Sequence, residues 1–289
     1  MKDVMSSKWA KTAVRLALEE DLGPKWCDAT SEALVDPKAV ATGEIYAKGT
    51  GCVVAGATVA KAVLKAVDPK IQVKILKPDG SLVEPKEPIL VFKGKARSIL
   101  AAERTALNFM QRMSATASLT RKFVDATKKY KTLILDTRKT TPGLRVFEKY
   151  AVTCGGGTNH RFGMFDRVLM KDNHRRLWKG GDPDQLDQAV IAARKAFPKL
   201  AVEVEVESIR ECESALKARP EWIMLDNMSV EDMKKCVKLC KGKTKTEASG
   251  GITLDRAKEI AATGVTAISL GCLTHSAGSI DLSLEWRAV

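Results

Sequence analysis

The chain has 289 residues, 45% of them apolar, enough to bury a large core in one domain or two. Its 48 Lys and Arg exceed its 35 Asp and Glu, and the net charge of +13 favours anionic partners; the cations are dispersed and gather beside glycines and strand ends rather than in a basic tail, which weighs against nucleic acid. Seven cysteines without paired CxxC spacing suit a reducing compartment, and with neither a signal-like start nor an apolar stretch of bilayer length the sequence predicts a cytoplasmic protein with no membrane partner.

Residues 9–20 have helical periodicity, with Trp9, Ala13, Leu16 and Ala17 on one face, and Gly23-Pro24 stops the helix. Residues 25–40 read as loop. Short β-like pieces follow at 44–47, 52–55, 71–76 and 89–92, interrupted by a helix over 57–67 and a turn at Pro78-Asp79-Gly80. This first part reads as an α+β segment built on an antiparallel sheet. Residues 98–113 form a helix with Ile99, Ala102, Ala106, Phe109 and Met113 on its apolar face, and a second helix is expected over 118–129.

From there the chain alternates strand and helix. Candidate strands end near Lys139, Lys171, Glu205, Asp226, Ser249 and Gly271, with helices expected over 183–197, 208–218, 230–240 and 253–263, spacings that suit βα units. Successive parallel strands make either a doubly wound sheet or a barrel. A doubly wound sheet concentrates its ligand residues at one switch point, whereas here chemical residues fall at the carboxyl end of every strand, which favours the barrel.

The chemistry centres on residues 133–174. Two short apolar runs, ending on Arg138-Lys139 and on Lys171, flank Gly155-Gly156-Gly157 and then Asn159-His160-Arg161. Glycines let a ligand approach backbone amides, and the cations match carboxylate or phosphate. His160 is the better candidate for ligand contact, and His174 for capping the Asp172-Asn173 turn. In VEVEVE the period of two puts Glu203, Glu205 and Glu207 on one face and valines on the other; by itself this equally describes a half-exposed edge strand with an acidic face. The next strand ends in Asp226-Asn227, so Glu205 and Asp226 are expected beside Lys139 and Lys171, an arrangement suited to a Mg²⁺-complexed phosphate ester. Downstream, Ser249-Gly250-Gly251 and the turn from Gly271 to His275 suggest a phosphate cradle after the last two strands. Cys236 and Cys240, four apart on a helix, read as packing in preference to metal ligands.

The motifs DTRKTTPGLR, EKYAV, GGGTNHRFGMFDRVLMKDNH, VEVEVES, MLDNM, EASGGI and GCLTHS, in order from about Glu103 to Ser276, resemble those of the quinolinate phosphoribosyltransferase (carboxylating nicotinate-nucleotide pyrophosphorylase) family. The early LEEDLG and Glu103-Arg104-Thr105 are also similar. The sequence departs from the family after Gly23, where a Gly-Asp-rich turn is usual, and at Ala115, where glycine is usual.

The resemblance implies an α/β protein with an N-terminal open-faced α/β sandwich domain over residues 1–114, joined by the C-terminal segment 276–289, and an incomplete, seven-stranded TIM-like α/β barrel over 115–275. It implies a homodimer or a hexamer built as a trimer of dimers, with shared active sites. Quinolinate binding then falls to Arg138, His160, Arg161 and Lys171, with Arg104 reaching in from the partner subunit. Phosphoribosyl pyrophosphate binding falls to Lys139, Glu205, Asp226, Ser249, Gly250, Gly251, Gly271 and His275. Lys139, Lys171, Glu205 and Asp226 are the expected catalytic residues, Mg²⁺ is expected on Glu205 and Asp226, and no prosthetic group is required. A relative acting on a monocarboxylate such as nicotinate, a paralogue associated with molybdate transport, and a non-catalytic polyanion binder are the alternatives.

Overall fold

The computed structural model describes residues 3–182 and 184–287. In chain order the elements are α1 (Lys8–Leu22), α2 (Ala29–Leu34), β1 (Val40–Ala47), β2 (Cys52–Val53), α3 (Ala57–Val67), β3 (Gln72–Ile75), β4 (Leu82–Val83), β5 (Pro88–Lys95), α4 (Ala96–Thr127), β6 (Leu133–Leu135), α5 (Arg145–Cys154) and β7 (Val168–Met170). They continue as α6 (Asp172–Arg176), α7 (Leu186–Ala196), β8 (Val202–Val206), α8 (Ile209–Leu216), β9 (Trp222–Asp226), α9 (Val230–Cys240), β10 (Lys245–Ser249), α10 (Leu254–Ala261), β11 (Ala267–Ser269), α11 (Cys272–His275) and β12 (Leu282–Arg287). Pro183, where the sequence reading starts a helix, lies outside the described residues; the helix there is α7. Among the described residues no helix is long and apolar enough to cross a membrane.

The chain divides into two compact units, one made of Met1–Arg121, Lys139–Gly156 and Cys272–Val289, the other of Lys122–Arg138 and Gly157–Gly271. The first holds a four-stranded antiparallel sheet in the order β12-β1-β5-β3. Gly43 sits where the neighbours crowd β1: a Cβ there would lie 2.5 Å from the Phe92 ring and 2.6 Å from the Glu285 carbonyl oxygen, so no larger residue fits.

Three expectations for this unit are corrected. The buried face of α1 is Ala10, Val14, Leu18 and Leu22, whereas Trp9 and Leu16 are more than half exposed. Reading the stripe from the large Trp9 sets the helical phase one residue off. Residues 25–40 contain a helix, α2, because Asp28 supplies an N-cap whose carboxylate accepts the Ser31 amide at 3.1 Å. The two helices expected over 98–113 and 118–129 are the single helix α4. Its continuity rests on Ser114-Ala115-Thr116-Ala117, small buried residues; the Ser114 hydroxyl donates to the Ala55 carbonyl at 3.2 Å and accepts the Ala55 amide at 3.1 Å. Ala115 is a better helix former than glycine, so this departure from the family pattern is consistent with an unbroken helix.

The second unit carries a six-stranded parallel sheet in the order β6-β11-β10-β9-β8-β7. Pairing the first strand with the last, with the others in sequence order, is how a barrel is built. Thr158 adds a one-residue bridge on the other side of β6, donating its amide to the Ile134 carbonyl at 2.8 Å. The parallel register sets Glu205, Met224 and Glu247 side by side, and Asp226 beside Ser249. All five residues of β8 are buried, because it is an inner strand with helices on its outer face; this overturns the half-exposed edge reading, and only Glu207, beyond the strand, is exposed. Ser208, Ser229 and Thr253 cap α8, α9 and α10 by accepting the amides of Glu211, Asp232 and Arg256, so each turn after a strand ends in a defined helix start. Between α8 and α9, Cys212, Cys236 and Cys240 are buried free thiols, with the Cys212 and Cys240 sulfurs 3.7 Å apart.

Candidate active site

The carboxyl ends of β7 to β10 bring a cation, two carboxylates and a glycine turn onto one rim of the second unit. Lys171 follows β7, and its Nζ lies 2.8 Å from Glu205 Oε2 on β8. The His174 Nδ1 accepts the Lys171 amide at 3.1 Å, the capping role expected of it, and starts α6 there. Glu205 is only 8% exposed while the Lys171 side chain is about half exposed, so the ammonium sits between a buried carboxylate and open solvent. Such a cation can meet an incoming anion without leaving the carboxylate behind uncompensated.

Asp226 ends β9. The Asn227 side-chain amide donates to its Oδ2 at 2.7 Å, and the Asn227 backbone amide donates to the Ser249 carbonyl at 3.0 Å, tying the ends of β9 and β10 together. Asn227 itself has φ 53°, Gly250 φ 100° and Gly251 φ 54°. The turn after β10 therefore runs in left-handed backbone that favours glycine, and a Cβ on Gly250 would lie 2.2 Å from Asn227 Oδ1. Gly271 follows β11 as a half-buried residue.

Arg138 and Arg161 are half-buried in the same unit. Burial, and next the Arg138 charge, pull the Arg161 guanidinium below the usual arginine pKa; the two cations repel, and an anion bound between them relieves that repulsion. Arg161 Nη1 also donates to the Arg167 carbonyl at 3.2 Å.

Beneath this rim lies a buried group that sequence reasoning missed except for His160. The Asp136 carboxylate, fully buried at the end of β6, accepts the His160 amide at 2.8 Å. The His160 ring is 5% exposed; its Nε2 lies 3.1 Å from Glu203 Oε2 and 3.4 Å from Glu247 Oε2, and its Nδ1 accepts the Arg161 amide at 2.7 Å. Arg167 Nη1 also sits 3.1 Å from Glu203 Oε2. Burial disfavours the imidazolium, but the two carboxylates outweigh it and push the His160 pKa up to about 9. Burial and the Glu203 charge push Glu247 up as well, whereas His160 and Arg167 overcome burial to hold Glu203 down. A protonated Nδ1 would not accept the Arg161 amide, so this geometry places the ring proton on Nε2, and any further proton is shared by the cluster as a whole. The ligand atoms of His160, Glu203 and Glu247 lie within 4.8 Å of one another, but the Arg167 guanidinium already neutralises Glu203.

Arg104, Lys139 and His275 belong to the first unit. Arg104 is exposed on α4; Lys139 is exposed and its carbonyl accepts the Thr274 hydroxyl at 2.6 Å; the His275 Nδ1 lies 2.5 Å from the Ser276 hydroxyl. In that unit Arg112 ties α4 to the C-terminal segment, donating to the Thr274 carbonyl at 2.7 Å and pairing with buried Glu148 at 3.3 Å.

Residues 28–114 match the family model of the quinolinate phosphoribosyl transferase N-terminal domain, and residues 116–285 that of the C-terminal domain. The chain is 40% identical over 293 residues to the chloroplastic nicotinate-nucleotide pyrophosphorylase (carboxylating) of Oryza sativa subsp. japonica, covering 95% of this chain and 77% of the rice protein. It is 39% identical over 281 residues to the nicotinate-nucleotide pyrophosphorylase (carboxylating) of Mycobacterium leprae, covering 96% of each. The solved structure of the nicotinate-nucleotide pyrophosphorylase from Francisella tularensis superposes with a TM-score of 0.89 at 39% identity, over 96% of each chain. With both family domains matched in order and relatives of this identity along nearly its whole length, the chain belongs to the quinolinate phosphoribosyl transferase family.

Proposed function

We propose that this chain transfers the phosphoribosyl group of phosphoribosyl pyrophosphate to quinolinate, releasing pyrophosphate and carbon dioxide and forming nicotinate mononucleotide for de novo NAD synthesis. The observation that carries the reading is the Lys171 to Glu205 pair at 2.8 Å, a half-exposed cation on a buried carboxylate, in the unit that also carries Arg138, Arg161 and Asp226.

Quinolinate is a pyridine dicarboxylate, and the fork geometry of Arg138 and Arg161 with the Lys171 ammonium suits two adjacent carboxylates better than one. His160 stands behind Arg161, and Arg104 of the partner subunit completes the pocket. The sugar pyrophosphate lies against Glu205, Asp226, Ser249, Gly250, Gly251 and Gly271 of the second unit, where the positive-φ glycines Gly250 and Gly251 free backbone amides for phosphate oxygens. As the bond from the anomeric carbon to pyrophosphate oxygen breaks, positive charge grows on the ribose, and Glu205 and Asp226 stabilise it. Glu205 and Asp226, hard oxygen donors on neighbouring strands, fit a Mg²⁺ ion, which when bound neutralises the leaving pyrophosphate. The pyridine nitrogen forms the new bond to the anomeric carbon. The resulting pyridinium accepts the electron pair of the adjacent carbon–carboxylate bond, carbon dioxide leaves, and the ring carbon takes a proton. The protein's part in that second step is to orient the carboxylate and exclude water.

We place the working form in the cytoplasm as a homodimer or a hexamer of shared sites, a reading supported by free thiols throughout the chain and by the exposure of Arg104. The test is to incubate purified protein with quinolinate, phosphoribosyl pyrophosphate and Mg²⁺ and to measure carbon dioxide and nicotinate mononucleotide. Stoichiometric release of both is expected. Turnover of nicotinate without turnover of quinolinate would overturn the assignment.

A further inference from the structure

Glu247 on β10 is fully buried, and its two register neighbours, Met224 and Ala267, are apolar. A carboxylate in such surroundings is costly unless it has a partner, and a methionine or leucine would fill the same space without that cost. Two polar groups face it: His160 Nε2, 3.4 Å from Oε2, and the Ser269 hydroxyl on the neighbouring strand. Of these two, His160 is the one that connects onward to a residue assigned to the substrate.

His160 passes the effect on. With Nε2 turned to Glu203 and Glu247, the opposite nitrogen, Nδ1, faces the Arg161 amide at 2.7 Å. The Arg161 guanidinium donates to the Arg167 carbonyl at 3.2 Å, and the Arg167 guanidinium returns to Glu203 at 3.1 Å. Glu203, His160, Arg161 and Arg167 thus form a closed loop, and Glu247 braces it at the His160 ring alone. Removing Glu247 leaves Nε2 held by Glu203 Oε2 alone, an oxygen already shared with Arg167, so the ring is held less firmly while the Arg167 to Glu203 pair stays intact. A turned ring no longer offers Nδ1 to the Arg161 amide, and the arginine loses its fixed main-chain anchor.

We propose that Glu247 is a positioning residue for substrate binding: with Glu203 it clamps the His160 ring so that Nδ1 holds the Arg161 backbone, and so sets the direction in which the Arg161 guanidinium meets a carboxylate of the pyridine substrate. The inference rests on the quinolinate reading for Arg161. Glu247 touches no reacting atom in this scheme, and its influence is confined to one substrate of the two.

The experiment compares Glu247→Met, of similar length but without a side-chain oxygen, with Glu247→Gln, whose side-chain oxygen can still face the Nε2 proton. Steady-state kinetics in both substrates and thermal unfolding are measured on each full-length variant and on the unaltered protein. Losing one of the two carboxylates that fix the His160 ring predicts a quinolinate KM raised about 10-fold or more in Glu247→Met. The phosphoribosyl pyrophosphate KM is expected to stay within about 2-fold, since nothing in the loop touches that half of the site. Glu247→Gln should restore the quinolinate KM to within about 3-fold of the starting value, because the acceptor is kept. Glu247→Met should melt no earlier than the unaltered protein, as a buried charge is replaced by an apolar group. An unchanged quinolinate KM in Glu247→Met, or a Glu247→Gln as impaired as Glu247→Met, overturns the proposal; equal rises in both KM values also overturn it. If Glu247→Met does not fold, Glu247→Gln decides by itself: a rise of about 10-fold or more refutes the acceptor role and a rise below about 3-fold upholds it. Should the unaltered protein fail to turn over quinolinate, the functional reading fails, and that is read before any variant is compared.

Discussion

Replacing Gly250 with alanine tests how far the phosphate turn depends on a single missing Cβ. Two costs add. The φ of 100° is one that a side chain rarely adopts, at about 1–2 kcal/mol. The new Cβ would also lie 2.2 Å from Asn227 Oδ1, 2.5 Å from its Cγ and 3.0 Å from its backbone nitrogen. The side chain can swing away, but the backbone nitrogen is tied to Ser249, so about 1–3 kcal/mol of overpacking is added. Gly251 is the internal control: its φ is 54° and a Cβ there meets nothing within 4 Å, so Gly251→Ala carries only the first cost. At roughly 2–4 °C per kcal/mol, Gly250→Ala should lower Tm by about 4–20 °C and Gly251→Ala by about 2–8 °C. The functional consequence is more specific. Swinging Asn227 aside removes its donation to Asp226 at 2.7 Å, so the carboxylate proposed to face the ribose loses its support. In the unfolding and kinetic assays together, Gly250→Ala should lower kcat about 10-fold or more, a loss that positioning errors of this size produce, with the quinolinate KM held. A Gly250→Ala protein that melts with Gly251→Ala and keeps its kcat would refute the chain of contact from Gly250 through Asn227 to Asp226.

The remaining predictions concern pH and assembly. His160 has its pKa raised from 6.5 to about 9, so its contribution is fully present below the unfolded value and is lost as pH rises through about 9. The loss is on the order of 3 kcal/mol as an upper bound. Because the net charge of +13 also relaxes over this range, the measurement is a difference: chemical denaturation of the unaltered protein and of Glu247→Met between pH 6.5 and 9, with the steeper fall expected in the former. Parallel slopes would show that the cluster does not hold the proton. For assembly, Arg104→Ala subunits mixed with Lys171→Ala subunits should recover about a quarter of full activity, since half the dimers are mixed and each mixed dimer keeps one intact site. Mixed dimers isolated with no activity would refute the shared site.

What the sequence made legible follows the range over which each signal acts. The strand ends and their chemistry were readable because parallel βα units place charged residues at the carboxyl end of apolar runs, and Lys171, Glu205 and Asp226 all stand where that rule puts them. α1 was misphased because one large exposed residue, Trp9, outweighed four smaller buried ones. The break expected within α4 failed because nothing local announces that Ser114 finds its partners at Ala55, far away in sequence. Asp136, Glu203 and Glu247 went unread as a group for the same reason: each looks like an ordinary acid in its own strand, and only the barrel register brings the two glutamates to the ring nitrogen of His160 and the aspartate to its amide.

β8 explains why such a buried layer should exist at all. Alternation along the strand sets Glu203 and Glu205 on one face, about 6–7 Å apart along the chain. The outer glutamate takes the half-exposed Lys171; the inner one takes His160 and Arg167. A rim cation bound to one carboxylate would drag the strand toward each arriving substrate if the layer below were compliant, and an oily layer of branched side chains offers no directional resistance. Charged groups with fixed hydrogen-bond directions do. The inner glutamate thereby holds the strand to β7 through Arg167, while the outer one remains able to exchange partners with a ligand. A slip of one residue in the register of β8 would turn both glutamates outward against α7 and α8, which is why this strand has one acceptable pairing and the site one geometry.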